Sequence, residues 1–152
     1  MSPGKISEKV VASRLAWIED MISGIQALPL ENLSQFTQDA RNVAAAESYL
    51  RRALEALLDL GRHILAKGFN LAVSEYKEIP ARLQRVGILS EKEARLMAEM
   101  AGYRNRLVHF YVYVSTEELF EICTSQVTDV AKLARQLGQW VASHPEKVDH
   151  AL

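Results

Sequence analysis

The sequence of 152 residues predicts an all-α protein, an antiparallel bundle of four or five helices joined by short loops. Three observations carry that expectation. Apolar residues recur at steps of three and four along most of the chain, and capping residues and helix breakers bracket those runs. Only one stretch has the composition of a strand, and no second strand exists to pair with it. A single domain is expected over residues 1–145, with a flexible tail at 146–152.

Ser7 stands where an N-cap belongs, and Val11, Leu15, Ile18, Ile22 and Ile25 form one stripe of a first helix. Leu28-Pro29 ends it, because proline disfavours helical geometry in the residue before it. A long helix follows from about Thr37 to Lys67, with Gly68 as its C-terminal cap. Its stripe (Ala45, Tyr49, Leu50, Ala53, Leu54, Leu57, Leu58, Ile64, Leu65) is wide enough for two neighbours. Gly61 inside it weakens the helix by roughly 1 kcal/mol relative to Ala and marks a bend or a close approach. A short helix is expected from Ile79 to Val86, with Pro80 in its first turn and Gly87 closing it.

Ser90 and Glu93 match the capping-box pattern and open a helix that runs through Met97 and Ala101 toward Val108. Ser115 and Glu118 repeat the pattern before the last helix. Its stripe is Leu119, Cys123, Val127, Val130, Ala134, Leu137 and Val141, and His144-Pro145 terminates it. The exception is LVHFYVYV, residues 107–114, which is β-branched and aromatic. Lacking a partner strand, it is read as the irregular C-terminal part of the fourth helix.

Composition narrows the chemistry. Hydrophobic residues make up 49% and charged residues 24%, and 18 Lys plus Arg against 19 Asp plus Glu give a net charge of −1. No global basic field holds nucleic acid, so any such contact must come from a local patch. Eleven of the 18 basic residues are Arg, which favours directional contacts to phosphate or carboxylate. The single Cys123 excludes an internal disulfide framework and lies on an apolar stripe, as a packing residue does. With no signal-peptide core and no apolar run long enough to span a bilayer, a soluble cytoplasmic protein without membrane contact is expected.

There is no glycine-rich phosphate loop, His-Glu-x-x-His helix, Cys-x-x-Cys or Gly-x-Ser-x-Gly elbow. His63, His109, His144 and His150 have no metal-ligand spacing, so neither a metal nor a cofactor is expected. His63 is read as an exposed helix-face residue, and His144 and His150 as solvated.

What remains is the run AGYRNRLVHFY at 101–111. At about 100° per residue, Met97, Ala101, Arg104, Val108 and Tyr111 share a stripe, which puts a guanidinium where the pattern reserves apolar groups. Ala98, Gly102, Asn105 and His109 share a second stripe. Arg104 and His109 lie roughly 140° apart on an ideal helix, so they meet only if the helix is distorted or a partner chain helps. An imidazole can take a proton from a ribose 2′-hydroxyl or return one to a leaving oxygen. A guanidinium can stabilise the charge that builds on phosphorus, and Asn105 can orient either group or the substrate. The competing reading makes Arg104 one half of a buried ion pair and His109 a helix contact.

Arg104-Asn105-x-x-x-His109-x-Tyr111 resembles the Arg-polar-x-x-x-His-x-Tyr motif of HEPN-domain ribonucleases, specifically the HepT-like toxins of bacterial and archaeal toxin–antitoxin pairs. Gly87-Ile88-Leu89, Met97-Ala98-x-Met100-Ala101-Gly102 and the stretch RRALEALLDLG at 51–61 extend the resemblance to roughly residues 35–125. It implies a HEPN-like helical fold and a homodimer whose cleft is lined by the Arg and His of both chains. It also implies a metal-independent endoribonuclease, with Arg104 and His109 catalytic and Asn105 supporting them. The implied partner is a minimal nucleotidyltransferase antitoxin, which in some systems transfers AMP onto the motif tyrosine, here Tyr111. RNA is the implied substrate, and Arg51, Arg52 and Arg106, with Arg41 and Arg62, are candidate contacts to it. The alternative from a different class is a non-catalytic module that binds a nucleotide or the nucleotidyltransferase.

Overall fold

A computed structural model describes residues 5–109 and 114–151 of the chain. A short strand, β1 (Ile6–Ser7), leads directly into α1 (Glu8–Gln26), whose first turn is capped by the Ser7 hydroxyl accepting from the Val10 amide. Asn32 caps α2 (Leu33–Thr37), and Asp39 caps the long α3 (Ala40–Phe69). A 3-10 turn (Tyr76–Glu78) runs into α4 (Ile79–Arg85), with Pro80 in its first turn, and Gly87 at φ +86 turns the chain out of it. The expected capping box opens α5 (Glu91–Val108): Ser90 and Glu93 each bond the other's backbone amide. Then α6 (Thr116–Glu121), a π-helical turn (Ile122–Gln126) and α7 (Val127–Ala142) follow without a break.

The helix α3 is the axis of an all-α bundle. Leu50, Leu54, Leu57, Leu58, Leu60, Ile64 and Leu65 on it are fully buried, and it packs against α1, α2, α4, α5, α6 and α7. Gly61 is where α4 comes closest. A Cβ there would lie 2.8 Å from Ile79 Cγ2 and 3.0 Å from Leu83 Cδ1, so the bare backbone is what lets the two helices touch. The stripe expected for the last helix is buried throughout, from Leu119 to Val141.

The structure departs from expectation at several places. The left-handed residue that ends α3 is Asn70 (φ 56), two positions beyond Gly68, which stays helical beneath Ile6. The last helix carries a π-helical turn that its apolar spacing does not reveal. The helix α5 stops at Val108, and His109 is extended (φ −104, ψ 103). Residues 110–113 of the β-branched stretch lie outside the described residues. Finally, the segment after Pro145, expected to be a loose tail, lies against the body. A 3-10 turn (Pro145–Lys147) precedes β2 (Val148–Asp149), which pairs in parallel with β1, Ile6 opposite Val148. Lys147 Nζ donates to the Gly68 carbonyl at 3.0 Å and lies over the Phe69 ring, and Val148 is buried, so polar and apolar contacts add to the strand pairing in anchoring the segment.

His63 also differs from its reading as an exposed face residue. It is half-buried, and its Nε2 accepts the Ser7 amide at 2.9 Å, joining α3 to the start of α1. Burial first, then Lys67 and Arg14 nearby, hold its pKa below the ordinary value. A nitrogen that accepts must be unprotonated, so the contribution of this bond is complete above about pH 6.5 and is lost as pH falls through the lower folded value. Urea melts at pH 7 and pH 5 should show wild type losing about 1 kcal/mol more than His63→Gln, which keeps an acceptor and cannot titrate. Equal losses in the two proteins would remove His63 from the account. No helix among the described residues is long and apolar enough to cross a membrane.

Candidate active site

A solvent-open cleft of about 500 Å³ lies between the last turn of α5, Arg62 of α3 and the loop at 74–77. Arg104, Asn105 and His109 all line it. The 140° that separates Arg104 from His109 on an ideal helix does not apply, because the helix ends between them. The His109 amide still donates to the Asn105 carbonyl at 3.2 Å, while its extended backbone releases the side chain from helical spacing.

Arg104 is held from three sides. Glu55 Oε2, on α3, accepts from its Nε at 3.1 Å and its Nη2 at 3.0 Å, and Asn105 Oδ1 accepts from its Nη1 at 3.3 Å. Its guanidinium carbon lies 4.7 Å from the centroid of the Tyr76 ring, a cation–π distance. A guanidinium has five N–H donors. Three are engaged among the described residues, which leaves two for a ligand in the cleft. The pair is well shielded, with Arg104 25% and Glu55 23% exposed, so it acts in a lower effective dielectric than a surface pair such as Arg41–Asp39, at 91% and 41%.

Glu55 also takes Arg51 Nη1 at 2.9 Å. One turn further along α3, Asp59 accepts the Tyr76 hydroxyl at 2.7 Å and lies 3.6 Å from Arg62 Nη1. Arg62 donates to the Ser74 carbonyl at 2.9 Å, and its guanidinium carbon too is 4.7 Å from the Tyr76 centroid. Tyr76 thus packs against two guanidiniums. Burial, then the Asp59 bond, pushes its hydroxyl pKa up to about 12, so it serves as a neutral donor.

The other expected residues are placed as follows. Arg51 stands behind Arg104 on Glu55. Arg52 is exposed and lines a smaller cavity with Arg14 and Trp17. Arg106 does not line the cleft. It donates to both Glu118 carboxylate oxygens at 2.7 Å and holds that carboxyl below its ordinary pKa. Tyr111 lies outside the described residues. Cys123 is 3% exposed, and burial pushes its thiol up to about 12, in keeping with a packing residue. His144 stacks on Trp140 at 4.0 Å, and His150 Nδ1 lies 2.9 Å from Glu8. Among the described residues, no three His, Cys, Asp or Glu side chains cluster as metal ligands would.

Three participants went unassigned in the sequence: Glu55, Asp59 and Tyr76. Arg51, Glu55, Asp59 and Arg62 recur at steps of four, four and three, a charged stripe on a stretch of α3, residues 50–65, whose other positions are mostly buried. That stripe was a readable signal. Tyr76 opens a three-residue 3-10 turn, too short for any periodicity to point to it.

The family model described as Ribonuclease HepT-like matches residues 18–137. A curated relative described as tRNA nuclease HepT, from Aphanizomenon flos-aquae (strain 2012/KM1/D3), is 22% identical over 144 residues, covering 95% of this chain and 98% of that protein. Among solved structures, the chain is similar to the Shewanella oneidensis HEPN toxin, tri-AMPylated and in complex with MNT antitoxin. That match has a TM-score of 0.78 at 20% identity and covers 86% of this chain and 97% of the other. It is also similar to YutE of Bacillus subtilis, a cytosolic protein of unknown function, with a TM-score of 0.76 at 17% identity over 92% of this chain and 94% of the other. At these identities the structural likeness shows a shared fold.

Proposed function

The chain belongs to the HepT-like ribonuclease family, and from that premise we propose that it is an endoribonuclease toxin that cleaves RNA by attack of a 2′-hydroxyl on the adjacent phosphate, without a metal ion. The observation that carries this reading is the meeting of Arg104, Asn105 and His109 on one open cleft, with the guanidinium already fixed by Glu55. His109 takes the 2′-hydroxyl proton as the 2′-oxygen bonds to phosphorus and the bond to the 5′-oxygen breaks. The products are a 2′,3′-cyclic phosphate and a 5′-hydroxyl. Arg104 directs its remaining donors at the non-bridging oxygens, where negative charge accumulates. Asn105 steadies the guanidinium through its carbonyl oxygen.

The proton required by the departing 5′-oxygen comes, in this reading, from the second His109 of a homodimer whose twofold axis passes by the cleft. The partner antitoxin is a minimal nucleotidyltransferase. The Tyr111 oxygen attacks the α-phosphate of ATP and releases pyrophosphate, and the attached nucleotide then blocks RNA by bulk and by charge. The name of the curated relative makes tRNA the first substrate to try. A cytoplasmic setting fits this substrate.

Incubating the protein with tRNA in excess chelator tests the proposal: fragments should end in 2′,3′-cyclic phosphate and begin with 5′-hydroxyl. Cleavage that stops with the chelator, or fragments bearing 5′-phosphate, would overturn the mechanism. One observation favours the second reading, a nucleotide-binding module without turnover: the net charge of −1 supplies no basic field to hold a long RNA. That reading predicts RNA left intact.

A further inference from the structure

We propose that Trp17, with Arg14 and Arg52, forms a second nucleic-acid subsite, a platform on which a base of the bound RNA strand stacks while the two guanidiniums take its phosphate. The identification of the strand as RNA rests on the nuclease reading above.

Trp17 is 42% exposed and, among the described residues, only Val108 joins it as a large hydrophobic side chain left in solvent. It faces a cavity of about 170 Å³ between α1 and α3, lined by Arg14, Arg52, Ala56 and the carboxylates of Glu55 and Asp59. Two features make this a place for a nucleotide. First, Arg51, Arg62, Arg104 and Arg106 are each tied to a carboxylate, whereas Arg14 and Arg52 form no ion pair among the described residues. Guanidiniums beside an open indole face supply both halves of single-strand recognition, charge for the backbone and a π surface for the base.

Second, the cavity and the cleft share a wall. Glu55 and Asp59 line this cavity, while they accept hydrogen bonds from Arg104 and Tyr76 of the cleft. A strand that leaves the cleft across this row reaches Trp17. The row does little to repel it, because Arg51, Arg104 and Arg62 already offset the two carboxylates.

The chain has two tryptophans, so Trp140→Phe leaves Trp17 as the only indole emitter. Oligodeoxythymidylate is the probe, because without a 2′-hydroxyl it binds and is not cut. The expected result is saturable quenching of Trp17 emission that weakens as salt rises. Binding, followed by anisotropy of a labelled strand, should fall about tenfold in Trp17→Ala and in the Arg14→Ala, Arg52→Ala double variant, and recover in part in Trp17→Phe. Three results overturn the platform: no binding; binding with unchanged emission; or emission that shifts with protein concentration alone, which would mean that another protein surface covers Trp17. Quenching is read with Trp17 in place, so the test stands even if Trp17→Ala does not fold. Cleavage of tRNA is followed in parallel. Quenching without cleavage overturns the nuclease reading and leaves the platform, and cleavage without quenching does the reverse.

Discussion

Replacing His109 with alanine is expected to slow RNA cleavage by about two to four orders of magnitude. The residue is exposed beyond the end of α5, and the proposed reaction loses its proton acceptor. Arg104→Ala should cost about two to three orders of magnitude through the transition-state charge, with some added loss of stability because Glu55 forfeits a shielded partner. Arg104→Lys separates shape from charge: one ammonium cannot reproduce a fork that bonds Glu55 and Asn105 together, so most of the activity should stay lost. The two alanine effects should fall far short of adding, as for groups that act on one transition state. Single-turnover rates on one RNA at saturating protein are the measurement. A His109→Ala protein that cuts at the parental rate would end the assignment.

The largest stability effect is expected from Phe36→Ala, at about 3–5 kcal/mol. The Phe36 ring is fully buried and lies 5.5 Å from that of Phe120 on α6, and it is the buried side chain of a five-residue helix. A domain of this size has about 5–15 kcal/mol in total, so the substitution removes a large part of the margin and should lower the Tm by roughly 6–20 °C. The cleft lies on other elements, and the protein that remains folded should cut RNA at the parental rate. A fall in Tm of under about 2 °C would show that the site collapses around the missing ring.

Much of the fold could be read because its punctuation is local. Ser7, Ser90 with Glu93, and Gly87 perform in the structure the tasks their chemistry suggests, and Gly61 is the close approach its place in a long helix implied. What stayed hidden depended on partners distant in sequence. Two-residue strands have no periodicity, so the pairing of Ile6 with Val148 could not be seen from either side. Gly68 and Asn70 both suit a left-handed ending; the helix runs on to Asn70, and the bare backbone of Gly68 instead gives room to Ile6. The site followed the same rule. Its catalytic candidates were legible as a motif, but Glu55 is 49 positions from Arg104 and Tyr76 lies in a three-residue 3-10 turn, so their shared anchorage needed coordinates. The ion pair that one reading expected of Arg104 is present, and the same guanidinium lines the cleft.

That anchorage has a thermodynamic consequence. An unrestrained arginine samples many rotamers, and freezing it costs up to about 2 kcal/mol. Here the freezing is completed when α3 and α5 pack together, so in the proposed reaction an arriving phosphate meets a donor whose orientational entropy was surrendered during folding. Anything that loosens the seam between those two helices should then abolish the proposed cleavage well before the protein unfolds.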